Sequence, residues 1–329
     1  MIKAELLGTS LDEGFYSDLT VVNAARVSFD KQHDEFDPEK DTKLINYLAK
    51  HGHWTPFSHV RETFEFEMNL EEFGSFFSQL NQNDLAPAVW EHTCGYLAFR
   101  TSLYGWCSIL NKVSHDEFTD LADVAKDLAY NYPVCCESLF NSGVGTAEKI
   151  VLDKGMYNSN YIDVTLRETV PIFVARQRFK HMIGFTYNEV SRRYVDSDPE
   201  FYIPDVWRSR PENGMKQGSG GDSVEKISCL RYSRDKINDI RYEHKVTEDN
   251  CYDLYRSMVH SSVAPEQARM VLPQSMLTSY WVTGSLTAFA RAYKLRIDAH
   301  AQKEIRDLAV QWGELLTERF GDVWKDLIK

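Results

Sequence analysis

Hydrophobic period changes along this chain, and that change limits what it can fold into. At Thr63-Phe64-Glu65-Phe66-Glu67-Met68 apolar and polar residues alternate, as they do on a strand with one buried face. From Tyr161 to Val170 the alternation returns, with Ile162, Val164 and Leu166 apolar. Elsewhere the spacing is helical. Leu44, Ile45, Leu48 and Ala49 make one stripe, and Gly52 stands where a C-cap belongs, which predicts a helix over 38–52. Residues 17–29 open on a short β-branched run and continue with good helix formers.

From about 70 to 160 the pattern is helical. Phe73, Phe76, Phe77 and Leu80 form one stripe and Phe118, Leu121, Ala125 and Leu128 another, which predicts an inserted helical block. Pro171 suits the first position of a helix running to about His181. Residues 211–222 are rich in glycine and polar side chains and read as a loop. Residues 224–329 are nearly all helical in pattern, ending in a stripe of Ile305, Leu308, Trp312, Leu315 and Leu316. No internal repeat is visible.

At 329 residues the chain is long enough for one large domain, or for one domain carrying a substantial insertion. A net charge of −12 opposes coating a nucleic acid or an anionic membrane, so neither is expected as a partner. Cys94, Cys107, Cys135, Cys136, Cys229 and Cys251 lack zinc-type paired spacing and read as reduced thiols. The start, Met-Ile-Lys-Ala-Glu, has no apolar signal core, and no run of eighteen apolar residues occurs. A cytoplasmic protein is expected.

Against that acidic background, Arg176, Arg178, Lys180, Arg192 and Arg193 face a single acid, Glu189, between 176 and 193. Arginine forks bind phosphate bidentately, and Ser191 adds a neutral donor, so an anion site is one reading. A solvated basic helix face is the other, and charge alone favours it. Arg291, Lys294, Arg296, Lys303 and Arg306 form a second basic stretch that also holds His300. His51, His53 and His59 match no common zinc spacing, and no metal is expected. The turn His51–Phe57 places polar rings beside aromatic ones, which suits a flat heterocycle or simply a tight turn. With no dinucleotide or phosphate-loop glycine motif and no nucleophile triad, difficult chemistry would fall to a cofactor.

Four segments together resemble the flavin-dependent thymidylate synthases. They are Asn23–Phe29; His51-Gly-His-Trp-Thr-Pro-Phe-Ser-His59; Pro171–Gln177 continuing through Asn188-Glu-Val-Ser-Arg-Arg-Tyr194 to Phe201–Pro204; and Ala268–Pro273 followed by Leu295-Arg296 and His300-Ala-Gln302. The register that keeps Ala175-Arg176-Gln177 puts Lys180-His181-Met182 on the family's Arg-His-Arg, with one residue inserted near Gly184-Phe185 before Ser191. A second register, on Arg176-Gln177-Arg178, needs a longer insertion. Met182, Ser58 and Ser285 depart from the family pattern.

The resemblance implies an α+β fold, a mostly antiparallel sheet core with a helical bundle, in one domain over 1–329 with a helical insertion at about 70–160. It implies reductive methylation of dUMP to dTMP, with 5,10-methylenetetrahydrofolate and NADPH as co-substrates and FAD as cofactor, in a homotetramer with shared active sites. Gln177, Lys180, Glu189, Val190, Ser191, Arg192 and Arg193 would hold dUMP, with Arg269 and Arg296 from a neighbouring subunit. Ser28, Thr55, Lys180, His181, Ile183, Asn188, Glu189, Ser285, Arg291, Leu295 and His300 would contact FAD. Arg296, His53 and Ser191 are the expected catalytic residues, Arg296 by gripping the uracil ring as charge develops on it. A relative acting on another pyrimidine, or a non-catalytic nucleotide-binding homologue, is the alternative.

Overall fold

Residues 277–285 carry Thr, Tyr, Trp and Val in quick succession, a composition suited to a strand packed on both faces. In the computed structural model, which describes residues 1–83, 85, 89–93, 95–114, 117–140, 162–195, 197–211, 219–228 and 237–329, that strand is one of the two inner strands of the main sheet.

The elements begin with β1 (Lys3–Thr9), α1 (Asp18–Arg26), α2 (Lys40–Lys50) and β2 (Arg61–Glu67). Then come α3 (Leu70–Gln82), β3 (Val89–Thr93), β4 (Tyr96–Ser102), α4 (Leu103–Lys112), α5 (Asp120–Asn131) and α6 (Pro133–Phe140). The chain continues with β5 (Asp163–Pro171), α7 (Ile172–Arg178), β6 (Phe185–Glu189), β7 (Lys226–Ser228), β8 (Ile237–Asp239) and α8 (Ile240–His260). It ends with α9 (Pro265–Ala268), β9 (Leu277–Ser285), α10 (Leu286–Arg296), α11 (Lys303–Phe320) and α12 (Asp322–Ile328).

The main sheet runs β1-β5-β9-β6, every pair antiparallel, so the architecture is α+β as expected. One face of β5 and β9 presents Val164, Leu166, Val170, Tyr280 and Val282, which pack with Val174 of α7, Phe289 of α10 and Trp312 of α11. The opposite face meets α1 and the 3-10 turn Pro56–His59 at one end and lies open at the other, where Arg167, Thr169 and Ser279 line a cleft.

A second core forms around the sheet β2-β4-β3, where Phe64, Phe76, Phe99 and Trp106 meet edge to face. Asn69 caps α3 by accepting from the amides of Glu71 and Glu72, while Glu72 returns a bond to the Asn69 amide. Buried Asp163 on β5 joins the two cores: it pairs with Arg100 of β4 and lies 3.7 Å from Arg61 of β2.

Several expectations need correction. Residues 70–160 include strands β3 and β4 besides helices α3–α6, because Leu97, Ala98 and Phe99 are consecutive buried residues that extend the sheet of β2. The stretch 224–329 holds β9, β7 and β8 as well as helices. The β-branched run near residue 20 is helical: Thr20, Val21 and Val22 are buried on α1, and packing outweighs local preference. Pro171 keeps an extended backbone (ψ 150°) and ends β5, so α7 starts one residue later and stops at Arg178, short of His181. The predicted loop at 211–222 lies mostly outside the described residues, as do Tyr161, Cys94 and Cys229. Among the described residues no helix is long and apolar enough to cross a membrane.

Candidate active site

The open end of the main sheet holds a cleft of about 1040 Å³. β6 delivers Glu189 to it, and the chain then bends away, the Val190 amide donating to Ser279 O (2.8 Å) and the Ser191 amide to Ser28 O (3.0 Å). A tight turn follows, closed by the Tyr194 amide on Ser191 O (2.9 Å), and Tyr194 stacks on Phe29 at 4.7 Å. Ser28, Glu189, Val190, Ser191, Arg192 and Arg193 therefore share this cleft, and Arg269 of the same chain lines it too, where a neighbouring subunit's Arg269 was expected.

Cations and carboxylates both line the cleft, so pairing decides its character. Lys3 is neutralised by Glu5 and Arg167 by Asp30. Among the described residues Arg176, Arg192, Arg193 and Arg269 make no ion pair: Arg192 donates to Ser197 O, Arg193 to Ser191 Oγ (3.4 Å) and Arg269 to Glu266 O (3.4 Å). These are weak or backbone contacts that an incoming phosphate can displace. Glu189 accepts from Thr278 Oγ1 (2.7 Å); partial desolvation draws its pKa up, against the pull of Thr278 and Arg269.

The five cations between 176 and 193 do not form one patch. Arg176, Arg192 and Arg193 reach the cleft and Lys180 is exposed, while Arg178 is completely buried against Glu168 (Nε to Oε2, 3.0 Å). A buried Arg178 is not available to a ligand at the surface.

A second group of expected residues gathers at the other end of β6. Arg296 Nε donates to His181 Nε2 (2.8 Å), so His181 is neutral and carries its proton on Nδ1. Burial first, then Arg178, Arg296 and Arg291, lowers its pKa to about 4. Burial and Arg178 also lower the pKa of Arg296. Arg291 donates to the Ile183 carbonyl, and Ser285 caps α10 by accepting from the Ala288 amide (3.1 Å). Gly184, at φ +81°, lets the chain turn here: a Cβ would stand 2.9 Å from Ala288 Cβ. The five residues of β6 span about 16 Å, which separates the two groups on one chain.

Other expected residues are more dispersed. Gln177 bonds Gln302 (2.5 Å) beside α11, and His300 pairs with Asp298. His53 is exposed beside Tyr47, ring centroids 5.9 Å apart, and Thr55 is exposed at the start of the 3-10 turn. Asn188 donates one proton of its side-chain NH2 group to Ala24 O (2.8 Å). Leu295 is exposed on α10. The sequence reading placed Arg176 in its basic cluster but not among the dUMP contacts, and it missed the Arg178–Glu168 pair. The latter had a signal: Glu168 falls in phase with Val164, Leu166 and Val170 on the buried side of its strand.

Fold and cleft together describe an antiparallel α+β protein in which guanidinium groups without ion pairs among the described residues converge on one open cleft. The chain belongs to the thymidylate synthase complementing protein family, whose model matches residues 13–72 and 158–320. It is similar to the flavin-dependent thymidylate synthase of Aquifex aeolicus, with 28% identity over 98% of each chain. To that of Thermosipho melanesiensis it is 30% identical over 66% of this chain and 93% of the relative. A UMP/dUMP methylase from Streptomyces cacaoi has a TM-score of 0.44 and 18% identity, covering 97% of this chain and 89% of that one, a likeness too loose to build on.

Proposed function

We propose that this chain is a flavin-dependent thymidylate synthase, converting dUMP, 5,10-methylenetetrahydrofolate, NADPH and a proton into dTMP, tetrahydrofolate and NADP+. The observation that carries the reading is the convergence of Glu189, Ser191, Arg192, Arg193 and Arg269 on one cleft in a chain of this family.

In this reading Arg192, Arg193 and Arg269 bind the dUMP phosphate, Ser191 supplies a hydroxyl and Glu189 accepts from the sugar. Gln177 and Lys180 line the same pocket. Arg296 faces the uracil, where a fixed cation stabilises negative charge growing on the ring. His53 stands where folate and nicotinamide exchange.

The residues expected at the flavin suit such a group. Ile183 and Leu295 are 78% and 59% exposed, unusual for apolar side chains, and Arg291, His181 and His300 accompany them, which together match a flat ring system with a pyrophosphate. Ser28, Thr55, Lys180, Asn188, Glu189 and Ser285 complete the proposed contacts. When bound, FAD supplies the hydride that reduces the transferred carbon to a methyl group.

The two halves of the site lie about 16 Å apart along β6. We take this as support for a homotetramer in which one chain's Glu189–Arg193 face is completed by another chain's His181–Arg296 face. The free buried thiols Cys107, Cys135 and Cys136 support a cytoplasmic enzyme.

The test is to incubate the purified protein with FAD, dUMP, methylenetetrahydrofolate and NADPH and to measure dTMP. Product formation that Arg296→Ala abolishes, with FAD still bound, is the expected result. NADPH oxidation without dTMP would point to another pyrimidine as substrate, and a protein that takes up no FAD would overturn the reading.

A further inference from the structure

Arg178 is a costly residue for a core. Its guanidinium is fully buried, lies over the rings of Phe185 (4.4 Å) and Trp312 (4.6 Å), and leaves Nη2 without a hydrogen bond. Buried ion pairs are commonly replaceable by apolar residues without loss of stability, so the pair with Glu168 does not by itself account for the charge. What the pair does is visible in its contacts. Arg178 Nε donates to Glu168 Oε2 (3.0 Å), and Tyr280 OH donates to the same oxygen (2.6 Å). Arg178 Nη1 donates to Tyr187 OH (2.6 Å), and Tyr187 OH lies 2.7 Å from the His181 carbonyl. A phenol has one proton. With Arg178 donating to its oxygen, Tyr187 turns that proton toward His181 O, the shorter of its two carbonyl contacts, the other being Arg178 O at 3.3 Å.

We propose that Arg178, acting through Tyr187, is a positioning residue: it anchors the His181 peptide and so holds the imidazole where Arg296 grips it. The inference rests on the reading that His181 and Arg296 belong to the active site. It ties a core ion pair to the reaction centre in one continuous chain, Glu168 to Arg178 to Tyr187 to His181 to Arg296. Residues 180–184 belong to no helix or strand, and the tyrosine gives this segment a fixed point. The buried cation also acts on the imidazole directly. Arg178, Arg291 and Arg296 all face His181 and disfavour its protonation, which preserves the lone pair that accepts from Arg296.

Tyr187→Phe removes the hydroxyl and keeps the ring, and Arg178→Met with Glu168→Gln removes the ion pair without stranding a charge. In the flavin-loaded protein, kcat for dTMP formation should fall about tenfold in either variant while the KM for dUMP moves less than about twofold. NMR titration should find the His181 pKa, near 4 in the parent, raised in the double variant by the loss of Arg178 while burial, Arg296 and Arg291 still hold it below 6.5, and the His181 ring signals shifted in Tyr187→Phe. Should the double variant fail to fold, Tyr187→Phe decides alone. Unchanged kcat and unchanged His181 signals in Tyr187→Phe would make Arg178 a core residue only. If the parent forms no dTMP, the proposed activity falls, and the His181 signals still decide the positioning role.

Discussion

His59 offers a measurement of how tightly the 3-10 turn at 56–59 is clamped to the main sheet. The ring is fully buried, its Nδ1 lies 2.7 Å from Thr283 Oγ1 on β9, and that hydroxyl meets Thr165 on β5 at 2.8 Å. Burial, and then the charge of Arg61, lowers the His59 pKa from 6.5 to about 3, although Asn188 partly favours the protonated ring. The unfolded chain therefore binds a proton below pH 6.5 that the folded chain refuses until about pH 3. Stability falls as pH drops through that window. The full gap sets a ceiling of about 5 kcal/mol, and the share lost between pH 7.5 and pH 5 is about 2 kcal/mol. Urea unfolding at fixed protein concentration, at both pH values, for the parent and for His59→Asn, isolates the effect. His181 titrates in the same direction but is present in both proteins, so the comparison cancels it. The variant should be less stable at pH 7.5 and should lose about 2 kcal/mol less on acidification. Equal losses in the two proteins would refute the argument.

Two further substitutions test the frame of the site. Gly284→Ala places a methyl 2.4 Å from Phe185 Cδ1 and 2.9 Å from Gly184 O, so it should cost about 1–3 kcal/mol in denaturant unfolding and disturb the ring that underlies Arg178. Asp163→Asn keeps the shape but leaves Arg100 and Arg61 without their shared carboxylate between the two cores. A loss of about 3–5 kcal/mol is expected, and a thermal midpoint equal to that of the parent would show that the cores are joined by apolar packing alone.

Elements with one buried and one wet face were legible in the sequence. Alternation located β2, and helical stripes located α2 and α11, with Gly52 one residue beyond the His51 cap. β4 and β9 escaped because Leu97, Ala98 and Phe99, and again Tyr280, Trp281 and Val282, are buried in succession, and a strand covered on both faces has no period-two signal. The same physics governs the candidate site. Glu189–Arg193 are contiguous and could be read as one feature, whereas Arg269 joins them only through the fold.

The basic stretch around α7 shows where sequence reading stops. Residue order alone puts Arg176 and Arg178 two positions apart, hence on nearly opposite sides of a helix with 3.6 residues per turn. Composition identified both as cations able to bind an anion. Which of them meets solvent depends on what packs against the helix: Glu168, Phe185 and Trp312 surround Arg178 and draw it into the core, while Arg176 is left at the cleft. Sequence thus determined the chemistry available and the local period of the chain. Tertiary packing determined which charge was buried as a structural cation and which was left free, because burial is set by neighbours distant in sequence.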